Sequence, residues 1–443
     1  MGKVLLFTVL LAEMGFVIWN FICGRRHRKE KEAVRVCGLF LILLLLAAGV
    51  LQGLWRYGMF AGLLVLQTAV NGWEIFRERK AAEKCVDPLK KFSKRKTVLA
   101  AAGNAMLYCF ALLPAVLFPQ YEAPEVTGPF EVETSEYTWV DAERTERYSE
   151  NGENRTLTVK FWYPKNEKVS WGQEDLKQES EKYPLVVFSH GAFGVIDSNY
   201  STCMELASHG YVVASIGHTY HAMFVEDCSG KVTMASQEFI RQVYEANEPG
   251  DAEKGRTVYE NGLEWMAVRT GDENFVLDTI KDLAGEKDES PWNLINTEKI
   301  GLFGHSMGGA SSVALGRQRS DIDAVIDLEG TMLGEYTGFE NGLETFREEP
   351  YPVPLLDINS AAVYEQAATL PGRGYVNFYV GDRAADYHYK VIENAGHLNF
   401  TDLPMVSPFL AGLLGVGETD PKECIEEINQ AILDFFEEYL KEQ

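Results

Sequence analysis

The first part of the chain is dominated by long apolar runs separated by short polar segments. Each run is close to the ~20 residues that an α-helix needs to cross the hydrocarbon core of a bilayer. The pattern predicts about four transmembrane helices within residues 1–119, at residues 4–22, 36–55, 57–76 and 98–119. The second run is the strongest because residues 39–46 are all apolar, and the third is weakened by Gln67 and Asn71.

The pattern changes after residue 119. A polar linker is predicted over residues 120–135, and beyond it short β-branched and aromatic runs alternate with helix-like stretches. The predicted strands are at residues 138–140, 157–163, 185–189, 211–216, 299–303, 324–328, 355–359, 376–380 and 389–393. The predicted helices are near residues 198–209, 233–246, 258–284, 308–318 and 422–441. This alternation favours an α/β domain over residues 136–443, with a mostly parallel sheet flanked by helices.

One segment of this domain is too long and polar for a simple connection between a strand and a helix. It covers residues 220–257. Two interpretations stay open, a cap over the functional site and a surface insertion.

Composition divides the chain at the same place as the hydrophobic pattern. Residues 1–119 carry 17 Lys and Arg against 7 Asp and Glu, whereas the remaining residues carry 24 against 58. So acidic a second part repels polyanions, and nucleic-acid binding is therefore not expected. The basic residues of the first part cluster at residues 23–35 and 77–96, in two predicted loops.

These basic loops predict an orientation in the membrane. Loops rich in Lys and Arg stay on the cytoplasmic side, so everything after Pro119 is expected outside. The first run is expected to be a retained helix, because the basic residues 25–29 follow it instead of a signal-peptide cleavage site. The prediction is a multi-pass protein of the cell membrane with an extracytoplasmic α/β domain.

Glu13 lies in the middle of the first apolar run. An intramembrane carboxylate marks either a functional contact or a protonated or hydrogen-bonded residue that faces the other helices, and we favour the second interpretation. The seven cysteines form no CxxC pattern and no cluster with zinc-ligand spacing, so no metal is expected. Cys203 and Cys228 are a candidate disulfide pair, with free thiols as the favoured alternative.

The clearest chemical signal is the segment Gly304-His305-Ser306-Met307-Gly308. This Gly-x-Ser-x-Gly pattern directly follows an apolar strand and precedes a helix of small residues. The turn between such a strand and helix is so sharp that the residues two before and two after the serine must be small. The helix that follows also directs its N-terminus at developing negative charge. The pattern predicts Ser306 as a nucleophile.

A serine nucleophile needs a general base. His397 follows the last predicted strand, where a base lies in architectures with the chain order nucleophile, acid, histidine. His388, at the start of that strand, is the second choice. His305 is aimed by the same turn as Ser306, and we interpret it as structural.

The third group is an acid that holds the base in one tautomer. Asp327 ends the strand that follows the nucleophile's strand, at the carboxyl edge of the sheet, and is the first choice. Glu329 and Asp382 are the alternatives, whereas Asp357 lies within a strand rather than beyond its end.

The oxyanion of the reaction needs two backbone N–H donors. The predicted donors are Met307, directly after the nucleophile, and Ala192, in the loop at residues 188–194. The pair His190-Gly191 lets the backbone of that loop approach closely. The alternative for the loop is a plain glycine-rich turn.

Taken together, these segments resemble the platelet-activating-factor acetylhydrolases of the plasma type and their bacterial relatives. The resemblance is carried in collinear order by residues 128–130, 141–146, 161–164, 188–191, 206–211, 304–310, 326–330, 358–360 and 396–402. It implies an α/β-hydrolase fold and a triad that matches Ser306, Asp327 and His397. It also implies hydrolysis of short or oxidised acyl esters without a metal or other cofactor. Met307 stands where the family has Phe, and the apolar first part is not in the family pattern.

The resulting expectation is a membrane-anchored serine esterase that forms an acyl-enzyme. Its partners are small or phospholipid-like esters and the lipid bilayer itself, and its oligomeric state is unknown. The alternative is a non-catalytic membrane sensor or assembly protein with a retired hydrolase domain. The joint presence of Ser306, Asp327 and His397 favours the enzyme.

Overall fold

The structure is a computed structural model, and it describes the chain except for residues 26, 84–91, 166–181, 249, 288, 371–373 and 442–443. The chain forms two compact units. The helical unit consists of Met1–Glu122 and Met405–Leu413. The α/β unit consists of Ala123–Pro404 and Leu414–Gln443.

Four long helices make up most of the helical unit, and they are α1 (Gly2–Cys23), α2 (Arg28–Ala47), α3 (Leu54–Glu83) and α4 (Lys94–Leu117). Many of their large apolar side chains point outward, such as Phe7, Leu99 and Met106. Glu13 and Asn20, in contrast, are buried between the helices. This inside-out distribution is typical of helices surrounded by lipid.

Within the described residues, three helical segments are long and apolar enough to cross a membrane: Gly2–Cys23, Leu54–Arg77 and Lys94–Leu117. The predicted span at residues 36–55 is wrong in its bounds. Its helix, α2, begins among charges at Arg28 and ends at Ala47, before two left-handed glycines at Gly49 and Gly53. The apolar part therefore rises only ~18 Å, less than the ~30 Å of a hydrocarbon core.

The described flanks of the two basic segments lie at the same end of the helical unit. Arg28 at the start of α2 pairs with Glu74 of α3 at 2.8 Å. The rings of Phe21 in α1 and Phe92, just before α4, pack edge to face with centroids 6.2 Å apart. Residues 84–91 of the predicted basic loop at 77–96 lie outside the described residues.

The α/β unit is built on an eight-stranded sheet. Its strands are β1 (Val132–Thr145), β2 (Asn154–Pro164), β3 (Tyr183–Ser189), β4 (Val212–Gly217), β7 (Ile295–His305), β8 (Ala324–Leu328), β11 (Leu355–Ser360) and β12 (Tyr387–Ile392), with the short strands β5 (Phe224–Glu226), β6 (Val232–Met234), β9 (Tyr336–Glu340) and β10 (Leu343–Phe346) in two separate hairpins. The order across the large sheet is β1-β2-β4-β3-β7-β8-β11-β12. Strand β2 pairs antiparallel with β1 and β4. The six strands β4, β3, β7, β8, β11 and β12 run parallel to one another in that order.

Helices cover both faces of this sheet. They are α5 (Tyr200–Ser208), α7 (Ala252–Glu286), α8 (Met307–Gln318), α9 (Ala361–Ala368), α10 (Val376–Gly381) and α13 (Pro421–Phe436). Helix α6 (Gln237–Ala246) packs on α7, and α11 (Leu403–Val406) and α12 (Pro408–Leu414) fall largely within Met405–Leu413 of the helical unit. One core cluster packs α7, α8 and α10 on the sheet, and another packs α5 and α13 on it. Strands enclosed in this way are apolar on both faces, as the sequence pattern predicts.

Two details of the sequence prediction need correction. Residues 376–380 form helix α10 rather than a strand. Val376 and Val380 are both buried, and they are one helical turn apart, so the apolar residues of this short run share one face of a helix. Strand β1 begins at Val132, inside the predicted linker. Cys203 is buried and Cys228 exposed, and both are free thiols, so the candidate disulfide does not form.

Candidate active site

Ser306 occupies the sharp turn between β7 and α8. Its backbone is left-handed, with φ 56° and ψ −122°, and its N–H donates to Leu328 O at 2.8 Å. A Cβ on Gly304 would lie 2.2 Å from the carbonyl carbon of Gly308, and one on Gly308 would lie 1.9 Å from Ser189 O. Both glycines are therefore required, and the strained turn presents the Ser306 side chain above the carboxyl edge of the sheet.

His397 lies in the loop that follows β12, and its Nδ1 is 2.7 Å from Glu329 Oε2. The Glu329 side chain is only 2% exposed, whereas that of His397 is 46% exposed. Glu329 Oε1 accepts a second hydrogen bond from Ser360 N at 2.9 Å. A carboxylate fixed in this way holds the imidazole with its proton on Nδ1 and leaves Nε2 free to accept one.

Ser306 and His397 make no direct side-chain hydrogen bond among the described residues. Such bonds are often long in ligand-free sites and tighten when substrate binds. The two residues are linked through His305, whose Nε2–H donates to His397 O at 3.0 Å. The rings of His305 and His397 lie 4.6 Å apart. Burial and the neighbouring His397 keep the pKa of His305 well below its usual value, so the His305 ring is neutral. It positions the His397 backbone, which agrees with the structural role expected from the sequence.

The structure does not bring Asp327 to His397, and this corrects the first choice of acid. Asp327 lies completely buried under α8, where its Oδ1 accepts from Gly330 N at 2.9 Å. Burial and the adjacent Asp357 raise the pKa of Asp327 well above its usual value. Asn377 donates to both carboxyl groups, at 3.3 and 3.2 Å. Asp327 is therefore a buried structural group away from His397, while Glu329, two residues later, has the left-handed φ of 52° at the strand end.

The remaining candidates lie away from this pair. His388 on β12 is bound by Asp386 at 3.1 Å and by Tyr439 at 2.8 Å. Asp382 is an exposed residue at the end of α10. Neither contacts His397 or Ser306 in the part of the chain that the structure describes.

The loop after β3 lies against the nucleophile. A Cβ on Gly191 would be 3.2 Å from Ser306 Cβ, so the backbone of this loop closely approaches the reacting group. The N–H groups of Phe193 and Gly194 are engaged by His221 O and Gly191 O. The N–H groups of Ala192 and Met307 have no hydrogen-bond partner among the described residues. They are therefore available as a pair of donors, and Met307 opens α8 with its positive dipole end.

Sequence reasoning missed Arg269, which binds the backbone of the loop after β3. Arg269 is completely buried in α7, and its guanidinium donates to His190 O at 2.6 Å and to Gly191 O at 3.3 Å. Its Nε donates to His221 Nδ1 at 3.2 Å. The only sequence signal is a charged group, Arg269 and Asp272, within the predicted helix at 258–284.

Asp272 extends the same buried network. It accepts two hydrogen bonds from Arg155, at 2.7 and 2.6 Å, and one from His218 Nδ1 at 2.9 Å. Burial alone would raise the pKa of Asp272, but Arg155 and His218 hold it well below its usual value. Arg155 also donates to Glu146 at 2.7 Å. Arg155, Asp272 and Glu146 are thus paired with one another, which is the condition for burying them, whereas the Arg269 guanidinium is satisfied by backbone carbonyls.

The segment at residues 220–257 packs beside the nucleophile. It contains the β5–β6 hairpin, α6 and the start of α7. Phe239 of α6 is completely buried in one cluster with Met307, Trp265 and Met266. This contact favours the cap over the surface insertion, because the segment forms an apolar wall next to Ser306. Among the described residues, no group of three His, Cys, Asp or Glu side chains is arranged to hold a metal.

The comparison with solved structures concerns the fold. A ferulic acid esterase from Streptomyces cinnamoneus superposes with a TM-score of 0.50 and 21% identity, covering 72% of this chain and 93% of the esterase. Together with the strand order β1-β2-β4-β3-β7-β8-β11-β12, this likeness confirms the predicted α/β-hydrolase fold.

The comparison with known sequences concerns the family. The platelet-activating factor acetylhydrolase of Gallus gallus is 28% identical over 292 residues, which cover 59% of this chain and 63% of the relative. That of Cavia porcellus is 28% identical over 277 residues, which cover 59% of this chain and 58% of the relative. The chain therefore spans about 60% of the length of these relatives. The family described as platelet-activating factor acetylhydrolase, isoform II, matches residues 165–443, more than half of the chain, and the chain belongs to this family.

Proposed function

We propose that the protein is a membrane-anchored serine hydrolase of carboxylic esters, with Ser306 as nucleophile, His397 as base and Glu329 as acid. The observation that carries the proposal is the His397–Glu329 contact of 2.7 Å beside the left-handed turn of Ser306. A strained serine, an oriented histidine and two free N–H groups are the parts that acyl transfer requires.

The reaction follows from the roles of these groups. Ser306 Oγ attacks the ester carbonyl while His397 Nε2 takes its proton, and Glu329 stabilises the imidazolium through Nδ1–H. The N–H groups of Met307 and Ala192 bind the oxyanion as charge develops on it. His397 then protonates the leaving alcohol. Water, deprotonated by His397, hydrolyses the acyl-enzyme and restores Ser306.

The substrate is proposed to be a short-acyl or phospholipid-like ester. Two features support this class, the family and the apolar wall that Phe239 and Trp265 build beside Met307. The relatives named above are acetylhydrolases of platelet-activating factor, a lipid ester. No cofactor is part of the proposed reaction, because the serine, histidine and carboxylate supply all proton transfers.

The helical unit is proposed to anchor the enzyme, with the α/β unit on the extracytoplasmic side. Of the part of this unit that the structure describes, three segments are long and apolar enough to span a membrane. Support for the orientation comes from Arg28 and Glu74, which bring the start of α2 to the end of α3 that precedes the second basic segment. Basic ends of a helix bundle face the cytoplasm. Arg56 and Phe118, which contact each other at 2.8 Å, then belong to the outer end.

The proposal is tested with a membrane-impermeant fluorophosphonate on intact cells that carry the full chain. We expect covalent labelling that is lost in Ser306→Ala and kept in Ser229→Ala, a control in an exposed hairpin turn. Labelling seen only after lysis would retain the enzyme and reverse the orientation. A folded protein that stays unlabelled in lysate would exclude the serine hydrolase and favour the non-catalytic sensor.

A further inference from the structure

The helical unit contains a cavity of about 330 Å³. It runs along α1, and residues of α2, α3 and α4 line its other sides. Most of its lining is apolar, for example Leu5, Leu45 and Phe60, but one end is charged. A cavity with an apolar body and a charged end has the polarity of an amphiphile.

Three charged side chains line this end of the cavity, and the hydroxyl-bearing ring of Tyr108 from α4 lies beside them. Glu13 of α1 forms an ion pair with Lys31 of α2, and Arg35 Nη2 lies 3.6 Å from Glu13 Oε1. One acidic and two basic residues leave one positive charge in excess at the cavity wall. A ligand with a single negative charge balances this excess, whereas a neutral or zwitterionic ligand does not.

Arg35 also lacks a partner for one of its donors. Its side chain is 9% exposed, and its Nε is a buried donor without a hydrogen-bond partner among the described residues. The distance of 3.6 Å from Nη2 to Glu13 is too long for a hydrogen bond. An unsatisfied donor among apolar helices is costly, because lipid supplies no water to replace the missing acceptor. Arg35 is therefore poised to receive an anionic acceptor.

The length of the cavity suits one chain. Both Glu13 and Met1 line it, and they are separated by ~18 Å along α1 at ~1.5 Å per residue. Between these two residues the α1 lining is apolar apart from Thr8, whose hydroxyl donates to Val4 O within the helix. An acyl chain that starts at Arg35 can extend along this wall toward Met1.

We propose that this cavity binds a single-chain amphiphile with a carboxylate headgroup, that is, a fatty acid. The carboxylate accepts hydrogen bonds from Arg35 and neutralises the excess charge beside Lys31. The alkyl chain fills the apolar body along α1. This site lies within the helical unit and does not depend on the proposed hydrolase activity.

The test uses the full chain in nanodiscs of zwitterionic lipid at pH 8, with Ser306→Ala in the background so that the hydrolase site forms no acyl-enzyme. A photoactivatable diazirine fatty acid is crosslinked, and its attachment is mapped by mass spectrometry. We expect attachment to α1 and α2, and competition by unlabelled palmitic acid that is at least tenfold stronger than by hexadecanol or lysophosphatidylcholine. Equal competition by hexadecanol, or stronger competition by lysophosphatidylcholine, overturns the carboxylate assignment.

Two pairs of variants sharpen the test. Arg35→Gln removes the charge, and we expect at least tenfold weaker labelling, whereas Arg77→Gln, on the exposed surface of α3, leaves labelling unchanged. Gly38→Leu fills the cavity, because a Cβ on Gly38 meets no atom within 4 Å, and it is expected to abolish labelling. Gly15→Leu makes the same change away from the cavity and retains labelling.

Each variant is compared by size-exclusion chromatography, so that loss of the folded protein is not mistaken for loss of the ligand. Since Gly38→Leu removes no charge or hydrogen bond, it tests the site even where Arg35→Gln fails to fold. Unchanged labelling in folded Gly38→Leu would mean that the probe contacts only the outer lipid-facing surface, and the proposal would be rejected.

Discussion

His397 lies on one side of Ser306 with nearly half of its side chain exposed, and its ring contacts a single carboxylate. On the other side, Arg269 is completely enclosed and holds two backbone carbonyls of the loop at residues 190–193. The difference follows from the tasks proposed for the two sides. A base must exchange protons with the substrate and with water, so it needs access and some freedom to move. Oxyanion donors act by being in place before charge develops, so their loop must be fixed.

The same contrast separates two carboxyl groups at the carboxyl end of strand β8, one within the strand and one just beyond it. The Glu329 carboxylate accepts hydrogen bonds from Ser360 N and from the exposed His397. Asp327 has its hydrogen bonds inside the protein and a neighbouring carboxyl group, so burial and Asp357 raise its pKa. Only a carboxylate that remains ionised can stabilise an imidazolium. The comparison therefore predicts that Glu329, and not Asp327, is the acid of the triad.

Replacement of that carboxylate is expected to have the largest effect. Glu329→Gln keeps the size of the side chain but removes the charge and favours the wrong tautomer of His397, so kcat should fall by about 10³- to 10⁴-fold. Asp327→Asn is the matched control. Asp327 is bonded to Gly330 and Asn377 and makes no contact with His397 among the described residues, so kcat should stay within about tenfold of the original. Steady-state hydrolysis of a soluble p-nitrophenyl ester measures both, and the reverse ranking would return Asp327 to the triad.

Loosening the oxyanion side is expected to have the next largest effect. Arg269→Met removes the donors to His190 O and Gly191 O, and a displaced Ala192 N–H should lower kcat by about 10- to 100-fold with little change in KM. Arg269→Lys keeps a charge and should recover part of the loss. Arg317→Met is the control, since Arg317 is paired with Glu335 at 2.7 Å and has no contact with the loop.

Measuring both kcat and stability separates a positioning role of Arg269 from a purely structural one. Both Met variants lose a cation, which is completely buried at Arg269 and partly buried at Arg317, and both should be destabilised because a carboxylate or carbonyl is left without its donor. Only the Arg269 variant should show the kcat defect in the fraction that remains folded. Equal kcat in the two folded variants would show that the loop holds its geometry without Arg269.

The sequence predicts the base side of this comparison better than the oxyanion side. Ser306 and His397 stand in recognisable local patterns, a turn that needs glycines and a loop after the last strand. The acid is ambiguous because Asp327 and Glu329 are two residues apart at the end of one strand. Their roles depend on the left-handed φ of Glu329 and on Asp357 in the neighbouring strand, and neither is a property of local sequence.

Other features depend on contacts that join distant parts of the chain. Arg155 and Asp272 meet across 117 positions, so no local pattern connects them. The apolar run at residues 36–55 predicts a helix, but the charges that precede it join the same helix because Lys31 and Arg35 are paired with Glu13 of α1. Tertiary contacts here override the local boundary between polar and apolar residues.

The smallest effect on activity is expected at Glu273, which lies next to the oxyanion network. It is completely buried, and burial raises its pKa from 4.5 to about 8, while Ser311 donates to it at 2.6 Å. It is therefore protonated in the folded protein at neutral pH. Glu273→Gln replaces it by a neutral group of the same shape, and kcat at pH 7 should change by less than about twofold.

Its effect should appear in stability instead. Between pH 4.5 and 8 the folded protein retains the proton that the unfolded chain has lost, so the stability contributed by protonated Glu273 falls as pH rises, by about 1.4 kcal/mol per pH unit. The stability of Glu273→Gln does not fall with pH in this way, because the amide does not titrate. Its midpoint temperature for loss of fluorophosphonate labelling should match the original at pH 5 and exceed it by several degrees at pH 8. Glu335→Gln, which breaks an ion pair with Arg317, should instead lower the midpoint at both pH values. Parallel pH curves for Glu273→Gln and the original chain would show that Glu273 is ionised, and that the oxyanion side holds an additional negative charge.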